Sequence, residues 1–208
     1  MTEFNDALKN RLATGLGAFQ HQLADAPHLK HAAVCLTVLS HPAETGRACL
    51  LLTRRAPRLS SHAGQWALPG GRIDKGESPL EAARREMREE VNLHLEEAHC
   101  LGRLDDYETR SGYLISPFVF WAQETGAMRP NPGEVASLHP IALEAFDRPD
   151  SPEFITIPES ERPVIRLYFE DSNIHAPTAA VLHQFLELAL HGRVTRVAHY
   201  EQPVWAWK

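Results

Sequence analysis

The sequence predicts an α/β fold, in which helices cover a central β-sheet, as a single domain with an additional N-terminal helix. Two observations carry this prediction: short, strand-forming apolar runs fill the middle of the chain, and apolar residues at helical spacing lie near both ends. The 208 residues, 43% of them hydrophobic and 23% charged, suffice for a sizeable core. We divide the chain into a helical extension (1–29), a central domain (30–192) and a tail (193–208).

The first predicted elements are an amphipathic helix and a pair of strands. The helix covers residues 3–23, because apolar residues recur there at steps of three and four: Phe4, Leu8, Leu12, Leu16, Phe19 and Leu23. Apolar runs at 32–39 and 48–53 are separated by a polar turn and predict paired strands. A polar connection then leads to a strand at 66–73, which breaks at a Pro-Gly-Gly turn.

A central helix begins directly after that turn. Ser78 is a suitable N-cap, Pro79 suits the first helical position, and Glu81 completes a capping box with Ser78. Asn92 is expected to end the helix, because Asn tolerates the left-handed backbone conformation that is common just beyond a helix C-terminus.

The rest of the chain alternates strands with loops and closes with a helix. Further strands are predicted at 100–107, 113–122, 135–138, 154–157 and 164–169, the second of them central in the sheet. A short helix is expected at 143–146. Pro177 opens the last helix, whose apolar face comprises Val181, Leu182, Phe185, Leu188 and Ala189.

The composition argues against several classes of partner. The net charge is −6 and no basic stripe is present, so a nucleic-acid polymer is not expected to bind. No run reaches the roughly 18 apolar residues of a membrane span, and the N-terminus lacks the features of a signal peptide. The cysteines Cys35, Cys49 and Cys100 lack metal-ligand spacing and predict free thiols in a reducing cytoplasm. The histidines show no zinc-ligand pattern.

Three carboxylates lie on one side of the central helix. Glu86, Glu89 and Glu90 stand at i, i+3 and i+4, which places them within a sector about 100° wide. One interpretation is a solvated surface helix whose glutamates pair with neighbouring arginines, since charged runs usually face water.

The other interpretation is a metal site. Glu89 and Glu90 occupy the last helical turn, where the helix dipole disfavours anions, and a bound cation would reverse that cost. The Pro-Gly-Gly turn before the helix allows backbone to come close to a metal or a phosphate. Oxygen ligands of this kind favour Mg²⁺ or Mn²⁺.

These residues resemble the Nudix box, G-x5-E-x7-R-E-U-x-E-E-x-G-U, in which U is a bulky aliphatic residue. The matching residues are Gly71, Glu77, Arg85, Glu86, Met87, Glu89, Glu90 and Leu93, and Asn92 stands in the place of the last glycine. The resemblance implies an α/β/α sandwich with a mixed β-sheet, in which the box forms a loop, a helix and a loop. It also implies a hydrolase that cleaves a diphosphate linkage in a small nucleotide substrate.

The resemblance also implies a role for each residue of the box. Glu86, Glu89 and Glu90 would be ligands of Mg²⁺ or Mn²⁺, with the Gly70 carbonyl as a further ligand. Arg85 would orient a ligand carboxylate, and Glu77 would tie the loop of the box together. The catalytic set would then be Glu89, Glu90, Arg85 and a glutamate on a later loop, for which Glu134 is the candidate. Glu134 is equally well explained as a turn residue before a strand.

A segment upstream of the box is similar to the signature of coenzyme A pyrophosphatases, L-L-T-x-R-[SA]-x3-R-x3-G-x3-F-P-G-G. Two positions differ, since Ser60 replaces an arginine and Leu68 replaces a phenylalanine. The implied substrate is coenzyme A or an acyl derivative, giving 3′,5′-ADP and 4′-phosphopantetheine. The implied substrate-binding residues are Arg55, Arg58, His62 and Ser111.

Other functions are compatible with the same residues. ADP-ribose, a dinucleotide or a nucleoside triphosphate is the alternative substrate, because a serine cannot replace the bidentate phosphate contact of an arginine. A module that only binds a nucleotide is a further possibility.

Trp66, Tyr107 and Tyr113 are candidates for stacking on a base or for the core. Trp205 and Trp207 in the tail make a homodimer possible.

Overall fold

The computed structural model describes residues 1–59, 63–126 and 128–207 and contains two β-sheets and three α-helices within that part of the chain. The helices are α1 (Asp6–Ala18), α2 (Pro79–Val91) and α3 (Thr178–His191). Short 3₁₀ turns occupy Glu97–His99, Leu143–Phe146 and Val204–Trp207. The strands are β1 (Lys30–Ser40), β2 (Ala48–Arg55), β3 (Trp66–Ala67), β4 (Gly70–Arg72), β5 (Cys100–Arg103), β6 (Tyr107–Glu108), β7 (Tyr113–Ala122), β8 (Val135–Ala142), β9 (Glu153–Ile157), β10 (Ser160–Phe169) and β11 (Ser172–His175).

The main sheet is mixed. Its strands run in the order β3-β2-β1-β7-β5, and β4, β6 and β8 pair with β1, β7 and β2 respectively. Strands β1 and β7 are parallel, with Lys30 opposite Tyr113 and Leu39 opposite Ala122, whereas the other pairs are antiparallel. The predicted central position of β7 is therefore confirmed. Strands β9, β10 and β11 form a separate antiparallel sheet.

Helices pack on both faces of the main sheet. Along β1, Leu36 and Val38 belong to a core that also contains apolar residues of α1 and α3. Cys35 and Leu39 point to the opposite face, into a second core that contains Met87 of α2. This alternation is the period of two expected of a strand that is buried on both sides. The predicted α/β/α sandwich with a mixed sheet is confirmed.

The first helix is shorter than predicted. It ends at Ala18, and the chain then pairs with a distant loop. The Gln22 N–H donates to the Asp105 carboxylate at 2.7 Å, and the Gln22 carbonyl accepts the Asp106 N–H at 3.0 Å. These bonds satisfy backbone groups that a longer helix would have used. The prediction that the helix continues to residue 23 is wrong, and Leu23 is exposed.

The predicted strand at 100–107 is two strands, β5 and β6, with a break between them. At the break, the buried Asp105 accepts hydrogen bonds from the backbone and from side chains of distant segments, so residues 104–106 leave the ladder. The predicted strands at 154–157 and 164–169 are present as β9 and most of β10. Strand β11 was not predicted, because Ser172–His175 lacks a clear apolar alternation.

Helix α2 has the predicted ends. The Glu81 N–H donates to the Ser78 hydroxyl at 3.3 Å, and the Ser78 N–H donates to the Glu81 carboxylate at 2.8 Å. Asn92 adopts the left-handed conformation, with φ 57° and ψ 33°. The capping box and the Asn stop therefore fix where the helix begins and ends.

The tail packs against the rest of the chain. Glu201 is buried, and its carboxylate accepts hydrogen bonds from the Nε and Nη2 of Arg110 and from the Ser160 hydroxyl. The Trp207 indole N–H donates to the Gln202 carbonyl at 2.8 Å, while Trp205 is half exposed. The boundaries at 1–29, 30–192 and 193–208 remain predictions. None of the described helices is long and apolar enough to cross a bilayer.

Candidate functional site

Three carboxylates converge at one cavity. Oxygen atoms of Glu86, Glu90 and Glu134 lie within 4.8 Å of one another. All three side chains line a cavity of about 750 Å³. Glu90 is buried, Glu86 is half-buried and Glu134 is exposed, so the cluster extends from the protein interior to solvent. Three oxygen donors at this spacing are suited to a hard divalent cation.

The loop before β8 brings Glu134 to the end of α2. The Arg129 N–H donates to the Val91 carbonyl at 2.9 Å, and the Asn131 N–H donates to the Glu90 carbonyl at 2.8 Å. Two of the carbonyls left free at the helix C-terminus are thereby satisfied. The Glu134 carbonyl in turn accepts the Ala56 N–H at 2.8 Å, which anchors the loop to the end of β2.

The two glycines of the Pro-Gly-Gly turn lie against the carboxylates. The Gly70 N–H donates to Glu90 Oε2 at 3.1 Å. A Cβ atom at Gly71 would stand 2.3 Å from Glu86 Oε1, whereas a Cβ atom at Gly70 would stand 2.3 Å from the Ala33 carbonyl oxygen. Both positions therefore require glycine, one for the site and the other for the fold.

Arg85 holds the loop of the box and two glutamates of the helix together. Its guanidinium makes a two-pronged contact with the Glu77 carboxylate, with distances of 2.9 and 3.0 Å. It also donates to Glu86 at 2.8 Å, to Glu89 at 3.1 Å and to the Arg72 carbonyl at 2.9 Å. Arg85 therefore links the loop that carries Glu77 to the glutamates of α2, and the roles predicted for Glu77 and Arg85 remain predictions.

The electrostatics of the cluster favour a cation. Burial, helped by the nearby Glu86 and Glu134, raises the pKa of the Glu90 carboxyl to about 8, against the opposing effects of the Gly70 N–H and Arg55. Burial also raises the pKa of Glu86. By contrast, the hydrogen bonds from Arg85 lower the pKa of Glu77. A divalent ion would remove the cost of placing the charged forms of Glu86 and Glu90 side by side. The donor set therefore fits Mg²⁺ or Mn²⁺.

Glu89 stands apart from the three converging carboxylates. Its side chain is 49% exposed and its carboxylate is hydrogen-bonded to Arg85. The group that the structure brings together contains Glu134 in its place. Gly70 lines the cavity, as expected of a residue whose carbonyl could serve as a ligand. The ligand roles of Glu89 and Gly70 remain predictions.

Arg55 is the predicted substrate contact with the best position. It ends β2, lines the cavity and lies close enough to Glu90 to lower the pKa of that carboxyl. Its Nε is buried and has no hydrogen-bond partner among the described residues. An unsatisfied buried donor of this kind is suited to an anionic group from the substrate.

The other predicted substrate contacts differ in position. Ser111 lines the cavity, and its hydroxyl lies 3.2 Å from that of Thr109. Arg58 donates to the Pro132 carbonyl at 2.7 Å and is not among the residues that line the cavity. The predicted role of His62, like the substitution at Ser60, lies outside the described residues.

The three aromatic residues that were candidates for stacking on a base also differ in position. Tyr113 lines the cavity. Tyr107 is a core residue, since it is buried and its hydroxyl donates to the Tyr200 carbonyl at 3.0 Å. Trp66 packs edge-on against His139 at 4.7 Å and takes no part in the wall of the main cavity.

Several residues of the cavity wall carry no local sequence signal. Lys30 and Arg72 stand at one end of it, and Gln202 of the tail contributes to the wall although it lies far along the chain. Only the strand pairing and the docking of the tail bring these side chains together.

Comparison with protein families gives a match over most of the described fold. The sequence model of the NUDIX domain matches residues 29–166. The chain is 33% identical over 184 residues to an uncharacterised Nudix hydrolase, NudL, from Photorhabdus laumondii, and the alignment covers 85% of this chain and 96% of the relative. It is 36% identical over 158 residues to the NudL protein of Pectobacterium atrosepticum, covering 74% of this chain and 80% of the relative.

A solved structure supports the fold independently. The crystal structure of RenU, a Nudix hydrolase from M. smegmatis, superposes with a TM-score of 0.52 and 22% sequence identity. The superposition covers 80% of this chain and 89% of that chain.

Proposed function

The chain belongs to the Nudix hydrolase family and is a diphosphohydrolase of that family, and from this premise we propose that its substrate is coenzyme A or an acyl derivative. The products would be 3′,5′-ADP and 4′-phosphopantetheine. The observation that carries the proposal is the convergence of Glu86, Glu90 and Glu134 in a cavity that the unpaired Nε of Arg55 also adjoins.

Nudix hydrolases generally use divalent metal ions, and we propose Mg²⁺ or Mn²⁺ for this chain. Glu86, Glu90 and Glu134 would hold the ion, with the Gly70 carbonyl and Glu89 as further ligands. Such an ion supplies Lewis acidity toward the diphosphate oxygens and toward the attacking water. Glu89 remains a proposed ligand because its carboxylate is accessible and shares Arg85 with Glu86.

The protein's own groups would divide the remaining tasks. The Arg55 guanidinium binds a phosphate oxygen of the diphosphate and offsets part of the charge of the carboxylates beside it. Arg85 keeps Glu86 and Glu89 in a fixed orientation through its contacts with Glu77. Glu134 is exposed at the mouth of the cluster, so one of its oxygens would face the ion while the other would take a proton from the attacking water.

The shape of the cavity supports a substrate with one apolar end. Beside Arg55 lies a second, largely apolar cavity of about 160 Å³, here called the annex, which is lined by Leu68, Ile115, Val181 and other side chains. Arg55 and Ile115 line both spaces, so the annex adjoins the place where the diphosphate would lie. An extended, uncharged chain such as pantetheine or its acyl thioester would bury its gem-dimethyl, methylene and acyl groups there.

Product analysis over a panel of substrates tests the proposal. Coenzyme A, an acyl-coenzyme A, ADP-ribose, a dinucleoside polyphosphate and a nucleoside triphosphate are each incubated with Mg²⁺ or Mn²⁺, and the products are separated by mass. We expect 3′,5′-ADP from the coenzyme A compounds at the highest kcat/KM. Intact coenzyme A beside rapid turnover of ADP-ribose would refute the substrate assignment. Binding without turnover of any compound would indicate a nucleotide-binding module.

A further inference from the structure

Two cations flank one aromatic ring at the end of the cavity away from the annex. The Arg72 guanidinium lies 5.5 Å from the centre of the Tyr113 ring, and the Lys30 ammonium lies 5.6 Å from it. Arg72 also donates to the Tyr113 hydroxyl, with distances of 2.7 and 3.2 Å. All three side chains line the same cavity as the carboxylate cluster.

No acidic side chain neutralises this pair. Within residues 1–59, 63–126 and 128–207, neither Lys30 nor Arg72 forms an ion pair. Over the same part of the chain the Lys30 ammonium has no hydrogen-bond partner, and it contacts the same Tyr113 ring as Arg72. Two like charges brought to one ring in a protein of net charge −6 form a local positive site.

Strand register sets the spacing between the cations and the carboxylates. Lys30, Ala32 and Val34 alternate on β1 with two-residue steps and line the cavity together. On β4, Arg72 pairs with Ala32 and Gly70 pairs with Val34. The Gly70 N–H donates to Glu90, so Gly70 and its partner Val34 mark the position of the carboxylates along the strands. Arg72 lies one two-residue step from Gly70, and Lys30 lies two such steps from Val34. The two cations are therefore about 7–13 Å from the carboxylates along the strand direction.

We propose that Lys30 and Arg72 form a second anionic subsite, which binds a phosphomonoester on the ribose of the substrate's nucleotide. The inference rests on the proposed function only in that the diphosphate lies at the carboxylate cluster. A phosphomonoester carries close to two negative charges at neutral pH and accepts hydrogen bonds through three oxygens. The Tyr113 hydroxyl occupies the Nε–Nη2 edge of the Arg72 guanidinium, so its Nη1 and the second N–H of Nη2 supply donors to the phosphate. The Lys30 ammonium supplies a compact charge, and the two cations together neutralise the phosphate.

The subsite also gives the substrate a direction. The phosphorylated ribose would lie between Arg72 and Lys30, the diphosphate at Glu90, and the apolar portion in the annex beyond Arg55. A 3′-phosphate, as in coenzyme A, and a 2′-phosphate, as in a phosphorylated dinucleotide, share the recognised chemistry. The subsite would therefore replace the phosphate contact that the sequence loses at Ser60.

Equilibrium binding separates this inference from turnover. The probes are adenosine 3′,5′-bisphosphate, adenosine 2′,5′-bisphosphate and 5′-AMP, titrated calorimetrically with Mg²⁺ present into the wild type and into Lys30→Ala/Arg72→Ala. Lys75→Ala/Arg162→Ala is the matched control, since it removes the same charge from exposed positions outside the cavity. Lys30 and Arg72 are themselves exposed, so their replacement by alanine should leave the fold intact.

We expect the wild type to bind one bisphosphate at least about 10-fold more tightly than 5′-AMP, because hydrogen bonds between charged groups are each worth about tenfold or more. The cavity variant should lose that preference and keep its affinity for 5′-AMP within about threefold, while the control keeps both. Preference for the 3′,5′- or for the 2′,5′-bisphosphate identifies which ribose phosphate the subsite binds. Equal binding of all three probes by the wild type, or an unchanged preference in the cavity variant, would overturn the subsite.

Turnover then tests the proposed function separately. The kcat/KM for coenzyme A and for 3′-dephospho-coenzyme A should differ in the wild type and converge in Lys30→Ala/Arg72→Ala. If neither compound is hydrolysed although the bisphosphate preference is present, the substrate assignment fails and the subsite stands. If both are hydrolysed equally by the wild type and the probes bind equally, the subsite fails and the substrate assignment stands.

Discussion

Alanine substitutions at the two adjacent glycines of the Pro-Gly-Gly turn should impair different properties: activity at Gly71 and stability at Gly70. In Gly71→Ala the new methyl group would stand 2.3 Å from Glu86 Oε1 and 2.5 Å from Glu86 Cδ. Non-bonded atoms in contact normally stand about 3.5 Å apart, so the carboxylate must retreat by about 1 Å. The side chain can rotate away, and this leaves the backbone in place.

The expected cost of Gly71→Ala is therefore catalytic. The retreat breaks the 2.8 Å bond from Arg85 and moves one of the three converging oxygens. A displacement of about 1 Å at a catalytic group can lower the rate about 100-fold, which corresponds to about 2.7 kcal/mol of transition-state stabilisation. Stability should change by less than about 1 kcal/mol, equivalent to about 2–4 °C in Tm for a chain of this size.

In Gly70→Ala the obstructing atoms belong to the backbone of β1. The methyl group would stand 2.3 Å from the Ala33 carbonyl oxygen and 2.7 Å from Val34 Cα, and neither can rotate away. We expect a loss of about 3 kcal/mol of stability.

The assays are the kcat/KM on the best substrate, the Mg²⁺ concentration for half-maximal activity, and Tm by calorimetry. Gly17→Ala is the control, because it lies on α1 where an added methyl group meets nothing within 4 Å. It should gain up to about 1 kcal/mol of stability at unchanged activity. Wild-type kcat/KM and metal dependence in Gly71→Ala, or an equal loss of stability in both turn variants, would refute the reasoning.

Four further results are expected. Glu90→Gln and Glu89→Gln should each lower turnover by orders of magnitude, since each removes negative charge from the proposed metal site; near-normal kcat in either variant removes that residue from the ligand set. In EDTA, the wild type should lose stability as the pH rises from about 4.5 to about 8. The pKa of Glu90 is raised to about 8 in the folded state, so the folded chain binds more protons than the unfolded chain over this pH range. Glu90→Gln should flatten that dependence of Tm on pH. Glu134→Gln should remove the acidic limb of the pH–rate profile, and an unchanged profile would leave Glu134 as a turn residue. Mg²⁺ at about 100 times its Kd should stabilise the wild type by about 2.7 kcal/mol, and a chelator should abolish both this gain and the activity.

The sequence was sufficient wherever the determining interactions are local. Helix α2 begins and ends where Ser78, Glu81 and Asn92 predict, because caps act within one turn. The nearly continuous apolar runs along β1 and β7 likewise indicate strands that are buried on both faces.

Prediction from sequence failed where contacts with a distant segment of the chain determine the local structure. The first helix stops early because Gln22 pairs with residues 105 and 106, more than eighty positions away. Lys30 and Arg72 meet at Tyr113 only through the pairing of β1 with β7 and β4. Glu134 could be nominated from its loop, but only the bonds of residues 129 and 131 to the end of α2 bring it beside Glu90.

The position of the tail has a consequence for how such an enzyme can evolve. The glutamates proposed to bind the metal and to accept the proton lie on α2 and on the loop before β8. Gln202 is held beside the cavity through Glu201 and Arg110 and belongs to a segment with no part in the family motif. Substitution of Gln202 would change the wall of the cavity without touching the hydrolytic residues of α2. One part of the nucleotide site is thus inherited on a different stretch of the chain from the metal-binding helix.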